Sequence, residues 1–216
     1  TKDFSFEANQ LRALAKIVDN HHLYLGLKPV YWSVGAQSAL AEAEVEYADK
    51  RSNAIDVAFA VVDPDQIFSR WHATHLPKRG EGRCSVVIWT TTPWTLPANE
   101  AVALNAELEY ALVQIERDGI AERIIVALGL LEAIMGRYGI ADYQVLATGS
   151  GAALEGLSLQ HPFLDKQVPV IVGEHVTLDA GTGAVHTAPA HGVEDYPVCL
   201  RYNLPVHCPV DCSGRY

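Results

Sequence analysis

Apolar and polar residues alternate along this chain with a period that changes several times, and each change marks an element. Leu11, Leu14, Ile17 and Val18 recur at helical spacing, which predicts an amphipathic helix over about 6–20. Lys28–Ser33 reads as a short strand. From Leu40 to Tyr47, Ala41, Ala43, Val45 and Tyr47 alternate with Glu42, Glu44 and Glu46. That period of two predicts a strand with one small apolar face and one acidic face. Ile55–Val62 is a further strand, and Asp63-Pro64 is a cap and first-turn pair for a short helix through Trp71.

After a polar loop over His72–Arg83, Ser85–Thr90 reads as a buried strand running into a Thr/Pro-rich turn. Ala101–Leu104 and Tyr110–Ile115 are strands, and Asp118-Gly119 marks a hairpin into Ile124–Val126. Leu128, Leu131, Ile134 and Tyr138 share a helical face closed by Gly139. Tyr143–Ala147, Val168–Val172, His175–Leu178 and Thr182–Ala188 complete the predicted strands, and a last helix runs from near Asp195 to Asn203. Pro197 cannot sit deep inside a helix, so that helix must start at or just before Asp195. Many short strands with few helices, in no regular strand–helix–strand order, predict an α+β fold with a barrel-like mixed sheet core and peripheral helices.

Composition narrows the picture. The 216 residues suit one domain with a small appendage, and 49% hydrophobic residues can build a sizeable core. The chain opens on Thr1 rather than methionine and turns helical almost at once, which reads as a piece of a longer protein. No apolar run is long enough to span a bilayer, so no membrane partner is expected. Cys84, Cys199, Cys208 and Cys212 form no disulfide framework, which points to a reducing, cytoplasmic setting. Cys208-x3-Cys212 with His207 nearby has loose zinc spacing but no second ligand pair, so neither a metal nor another cofactor is expected. His21, His22, His72 and His75 read as surface histidines. The net charge of −10 argues against a strong nucleic-acid binder, although Arg70, Lys78, Arg79 and Arg83 face only Glu81 in one basic loop.

Two segments concentrate chemistry. In Trp89-Thr90-Thr91-Thr92-Pro93-Trp94-Thr95-Leu96-Pro97-Ala98-Asn99, a strand ends in three hydroxyls before two prolines fix the turn. Such a turn can grip a sugar, a phosphate or an oxyanion; equally, its hydroxyls can simply cap their own backbone. In Gly181-Thr182-Gly183-Ala184-Val185-His186-Thr187-Ala188-Pro189-Ala190-His191-Gly192-Val193-Glu194-Asp195, strand alternation puts His186 on one face with Thr182, Ala184 and Ala188. The histidine therefore sits among small residues, as a pocket wall would. Asp195 falls at a helix start, where free N–H groups favour an ionised carboxylate. Taken singly, a structural histidine and an ordinary helix-start carboxylate are the simpler readings.

Together these two segments resemble the signature segments of isoleucyl-tRNA synthetase editing domains, known as connective peptide 1. Lys28-Pro29-Val30-Tyr31-Trp32-Ser33 and Ser38-Ala39-Leu40-Ala41-Glu42-Ala43-Glu44-Val45-Glu46-Tyr47 resemble the connector leading into that domain. The sister valine and leucine enzymes carry arginine-proline after the threonine pair, where this chain has Thr92-Pro93-Trp94, and they lack a histidine at the place of His186. The resemblance implies a leading helix and connector strands over 1–50, an editing domain over 51–205 and the start of a return connector over 206–216. It implies that Thr90, Thr91 and Thr92 contact the terminal adenosine and the ester. It further implies that Trp89, Asn99 and Thr182 contribute to substrate binding, that His186 limits the side-chain pocket, and that Asp195 holds the α-ammonium.

The implied activity is hydrolysis of valine from the 3′ end of tRNA that should carry isoleucine, within a larger synthetase whose other domains are partners. Valyl-adenylate is a further possible substrate. The alternatives are a tRNA-binding module without catalysis and a hydrolase of other aminoacyl esters. With no Ser-His-Asp order and no acid pair in the sequence, direct attack by water is expected, with Asp195 anchoring the ammonium, hydroxyls and backbone N–H groups stabilising the oxyanion, and the vicinal ribose hydroxyl relaying the proton. His186 as general base is the less favoured variant. Ala190 stands where the family pattern has glycine. The histidine–glycine–histidine and lysine–methionine–serine–lysine signatures of the synthetic site do not occur, so this piece is not expected to activate amino acids.

Overall fold

The computed structural model describes residues 2–73 and 79–216. His75 and Lys78, named above, lie outside the described residues. Among these residues, eleven strands and four α-helices follow in chain order. Helix α1 (Phe4–Asp19) leads to a two-residue hairpin, β1 (Trp32–Ser33) and β2 (Ser38–Ala39). Then come β3 (Ile55–Val61), α2 (Asp65–Arg70), β4 (Arg83–Thr90), β5 (Ala101–Leu104), β6 (Glu109–Arg117), β7 (Ile120–Ala127) and α3 (Leu131–Tyr138). The chain closes with β8 (Gln144–Ser150), β9 (Ser158–Gln160), β10 (Gln167–Val172), β11 (Ala184–Thr187) and α4 (Asp195–Arg201).

Strands β3 to β11 form one nine-stranded sheet in the order β11-β5-β10-β9-β3-β4-β7-β6-β8. The pairs β4·β7 and β10·β5 are parallel and the others antiparallel, so the sheet is mixed. It is strongly curled but open. The edges β11 and β8 do not pair with each other, and the expected barrel-like closure is replaced by a fold-over in which β11 packs against β4. The Ala127 N–H donates to the Thr182 carbonyl at 2.9 Å and the Tyr110 hydroxyl to the Gly183 carbonyl at 2.7 Å, which ties the approach to β11 onto the middle of the sheet.

Strand alternation explains the layers. Val86 and Ile88 of β4, Tyr110 and Leu112 of β6, and Val102 and Leu104 of β5 point into the main core. Their neighbours Val87, Ala111 and Val113 face the other way, where Ile134 and Met135 of α3 cover them. Ala101, Ala103 and Ile171 meet Val198 of α4 in a third cluster. Fully burying one such aliphatic side chain contributes about 1.5–3 kcal/mol, so the sheet is held by its two-sided cover. Helix α1, by contrast, buries none of its residues, and Leu11 and Leu14 remain exposed.

Several sequence expectations need correction. Leu40–Tyr47 is not a strand: Glu42–Glu44 makes a 3-10 turn, and the Glu44 carboxylate accepts the Ala41 N–H at 2.8 Å. Alanines offer little area to bury, so a local cap prevails over alternation. Only Trp32–Ser33 of the Lys28–Ser33 stretch is extended and paired. His175–Leu178 is a turn, because the chain leaves the sheet at Gly173, whose N–H bonds the Leu104 carbonyl. Strand β9 had no alternation long enough to announce it.

Candidate active site

The Thr/Pro turn and β11 meet through the curl of the sheet. Strand β4 delivers Trp89 and Thr90 to its C-terminal end, and Pro93–Ala98 then winds as a 3-10 turn. Prolines at its first and fifth positions suit that tight winding, because their φ is already fixed. Strand β11 pairs with β5, placing His186 opposite Val102 on the face that Ala184 shares. The cleft between them has a volume of about 430 Å³. One wall is Trp89, Thr90, Thr92, Trp94 and Thr95; the other is Val185, His186, Ala188, His191, Gly192 and Asp195.

Five of the predicted residues therefore converge: Trp89, Thr90, Thr92, His186 and Asp195. Three do not line the cleft. Thr91 is exposed, and its carbonyl accepts the Ser52 hydroxyl at 2.7 Å. Thr182 is buried with its carbonyl on the Ala127 N–H, and it borders a separate cavity of about 180 Å³ behind Trp89. Asn99 is fully buried behind His186. Self-capping of the threonine turn is also real, since Thr90 Oγ1 accepts the Thr92 N–H at 3.1 Å.

Asn99 turns out to orient the histidine. Its amide Nδ2 donates to the Ala101 carbonyl at 2.7 Å, which fixes the amide's direction, and it also lies 3.3 Å from His186 Nδ1. Nδ1 must therefore accept, which leaves the hydrogen on Nε2. Nε2 lies 2.8 Å from Thr95 Oγ1, whose own hydrogen goes to the Thr92 carbonyl at 2.8 Å. The chain Asn99–His186–Thr95–Thr92 thus sets one tautomer of a neutral ring. Burial holds the His186 pKa down at about 4, with His161 and His191 adding to the shift. Leaving the buried Nε2–H unpaired would cost about 1–3 kcal/mol, so the ring is held firmly. A ring with both nitrogens engaged has no lone pair for a water, which favours a steric role over a basic one.

Asp195 begins α4, and its carboxylate turns back across the cleft: Oδ2 accepts the Ala188 N–H at 2.9 Å rather than an N–H of its own helix. Burial pushes its pKa up, opposed by that N–H and by His175. Gly192 makes room for this pose, since a Cβ there would lie 2.3 Å from Oδ2. One carboxylate oxygen is bonded to Ala188 while Asp195 faces the cleft, a geometry able to take an ammonium.

Sequence reasoning gave no role to Thr95, His191 or His161. The first two lay inside the quoted segments but carried no distinguishing pattern. His161 is fully enclosed: Nε2 lies 3.1 Å from the Leu96 carbonyl, and Nδ1 accepts the Leu164 N–H at 3.0 Å, pinning the 3-10 turn to the end of β9. Two cations of the basic stretch, Arg70 and Arg79, are occupied with structure instead. Arg70 donates to the Ala153 and Glu155 carbonyls, and Arg79 pairs with Asp65 at 2.7 Å. His21, His22 and His72 are exposed, and Cys208 and Cys212 are exposed free thiols. No helix among the described residues is long and apolar enough to cross a membrane.

The chain belongs to the class I tRNA synthetases (I, L, M and V), whose family model matches residues 1–192. Within the family it is similar to the isoleucine–tRNA ligases of Coxiella burnetii (56% identical) and Methylococcus capsulatus (57% identical), in each case over all 216 residues. It spans 23% of the length of those relatives. In fold it is similar to two leucyl-tRNA synthetase editing domains. The P. knowlesi cytosolic domain has a TM-score of 0.58 at 14% identity, covering 74% of this chain and 71% of that one. The P. falciparum domain has a TM-score of 0.56 at 12% identity, covering 69% and 67%. The chain thus corresponds to a region of isoleucyl-tRNA synthetase with the editing-domain fold.

Proposed function

We propose that this domain hydrolyses valine from mischarged tRNA(Ile), as the editing part of an isoleucine–tRNA ligase. The carrying observation is the shared cleft: the His186 ring and the Asp195 carboxylate face the same space as the Thr90/Thr92 turn. In this reading residues 51–205 are the editing unit, and the flanking segments connect it to the remaining domains of the synthetase. Asp195 holds the α-ammonium, the threonine turn holds the terminal ribose and the ester, and the fixed imidazole of His186 sets the depth available to the side chain.

The logic of such a second site is that of a size test run in reverse. A binding pocket can reject a side chain lacking one methylene by only about 1–3 kcal/mol; the handling of valine by isoleucyl-tRNA synthetase is the standard example. A hydrolytic site that excludes the larger isoleucine removes what the first site lets through. The ester on the ribose is activated, so positioning a water and stabilising the oxyanion supply the main part of the acceleration.

The test is to measure deacylation of valyl-tRNA(Ile) and isoleucyl-tRNA(Ile) by the 216-residue chain and its Asp195→Ala variant. The expected result is loss of valine alone, abolished in the variant. No loss from either substrate would make the domain a passive module. Loss from both would make it a broader aminoacyl-ester hydrolase, and full activity of the variant would remove the anchor role.

A further inference from the structure

We propose that His161 is a positioning residue for the choice of amino acid: from outside the cleft it fixes the turn that holds the His186 ring. The inference rests on the hydrolytic reading above. His186 is gripped at both ring nitrogens, by Thr95 at 2.8 Å and by Asn99 at 3.3 Å. Thr95 lies within the 3-10 turn and Asn99 closes it. Whatever fixes that turn therefore fixes the imidazole. His161 does not line the cleft, and it is only 2% exposed.

The Leu96 carbonyl is where the turn is held from outside. It accepts the Asn99 N–H at 3.0 Å and lies 3.1 Å from His161 Nε2. The direction of that second bond follows from the other side of the ring. His161 Nδ1 accepts the N–H groups of Leu164 at 3.0 Å and Phe163 at 3.4 Å. The hydrogen must then sit on Nε2, which donates to Leu96. Phe59 and Phe163 meet the ring edge to face, with centroids 5.6 and 4.6 Å away. Both ring nitrogens are thus spent on backbone, and the ring acts by holding rather than by proton transfer.

The loop that carries His161 makes a second attachment beyond Asn99. The Lys166 ammonium pairs with the Glu100 carboxylate at 3.1 Å, and the Glu100 N–H donates to the Thr187 carbonyl of β11 at 2.9 Å. The His161 N–H donates to the Lys166 carbonyl at 3.0 Å, which closes the loop between β9 and β10 on itself. One closed loop therefore holds residues 96 and 100, and Asn99 reaches His186 from between them. The two imidazoles are also near enough for His161 to help keep His186 neutral. Isoleucine exceeds valine by one methylene, so a wall that yields by about one carbon–carbon bond, ~1.5 Å, no longer separates them.

Deacylation of valyl-tRNA(Ile) and isoleucyl-tRNA(Ile) by one preparation tests this, because the ratio of the two rates does not depend on the fraction of folded protein. His161→Leu removes the donor and keeps an apolar side chain between Phe59 and Phe163. The ratio of valine to isoleucine release should fall by roughly tenfold or more. His161→Gln keeps an amide donor for the Leu96 carbonyl and should retain the unsubstituted ratio. The His186 ring gives a readout besides activity: its nitrogen NMR signals should report the Nε2–H tautomer in the unsubstituted chain and shift in His161→Leu. An unchanged ratio in His161→Leu overturns the proposal, as does an equal fall in both variants. A ratio that falls while the His186 signals stay in place overturns it too, since the effect would then not pass through that ring. If the unsubstituted chain hydrolyses neither ester, the editing reading and this inference fall together; if it discriminates and His161→Leu discriminates equally, only the role of His161 falls.

Discussion

At the residue scale the decisive object is one imidazole held in one tautomer. His186 is neutral because it is buried and because Asn99 and Thr95 leave no site for a second proton. Its stability effect has a definite sign. The folded pKa, about 4, lies below the ordinary value of 6.5, so the contribution is complete above pH 6.5 and is lost as pH falls towards 4. The loss is of order 3 kcal/mol. Urea unfolding of the wild type should therefore show a falling midpoint across that window, and His186→Gln should flatten this part of the profile. If His186 also sets the pocket depth, His186→Ala should let the domain release isoleucine from isoleucyl-tRNA, measured as a deacylation rate approaching that for valine. Thr90, His186 and Asp195 were legible as candidates in their motifs. That Asn99 acts from behind the histidine, and that Thr91 faces away, were not, because residue order says nothing about which side of a turn a hydroxyl takes.

At the element scale, the strands with large apolar residues on both faces formed where alternation and runs placed them, as in β4, β6 and β10. Two predicted strands went elsewhere. The acidic Leu40–Tyr47 stretch capped itself, and His175–Leu178 became a turn. The junction before β11 depends on a single close approach. Gly183 has φ +75°, and a Cβ there would lie 2.3 Å from the Ala127 side chain. Gly183→Ala combines left-handed strain, about 1–2 kcal/mol, with overpacking, about 1–3 kcal/mol. A loss of roughly 2–5 kcal/mol in chemical denaturation is expected, with reduced activity because β11 carries His186. An unchanged denaturation midpoint would show that the fold-over tolerates more slack than the geometry suggests.

At the scale of the whole molecule, the net charge of −10 opposes phosphate binding, and Arg70 and Arg79 of the basic stretch are used internally. The isolated chain should therefore bind tRNA weakly, and the binding should weaken further as salt is raised from about 50 to 200 mM in a filter or fluorescence titration. Tight, salt-insensitive binding would place the main tRNA contact in this domain after all. The sequence by itself determined the α+β class, most strands, the cap at Gly139 and the two segments that carry chemistry, because hydrophobic periodicity and turn residues act locally. Only the tertiary structure decided that the sheet stays open yet curls until β11 lies on β4. That long-range packing brings residues about a hundred positions apart into one cleft, and it alone selects which of their hydroxyls, imidazoles and carboxylates face it.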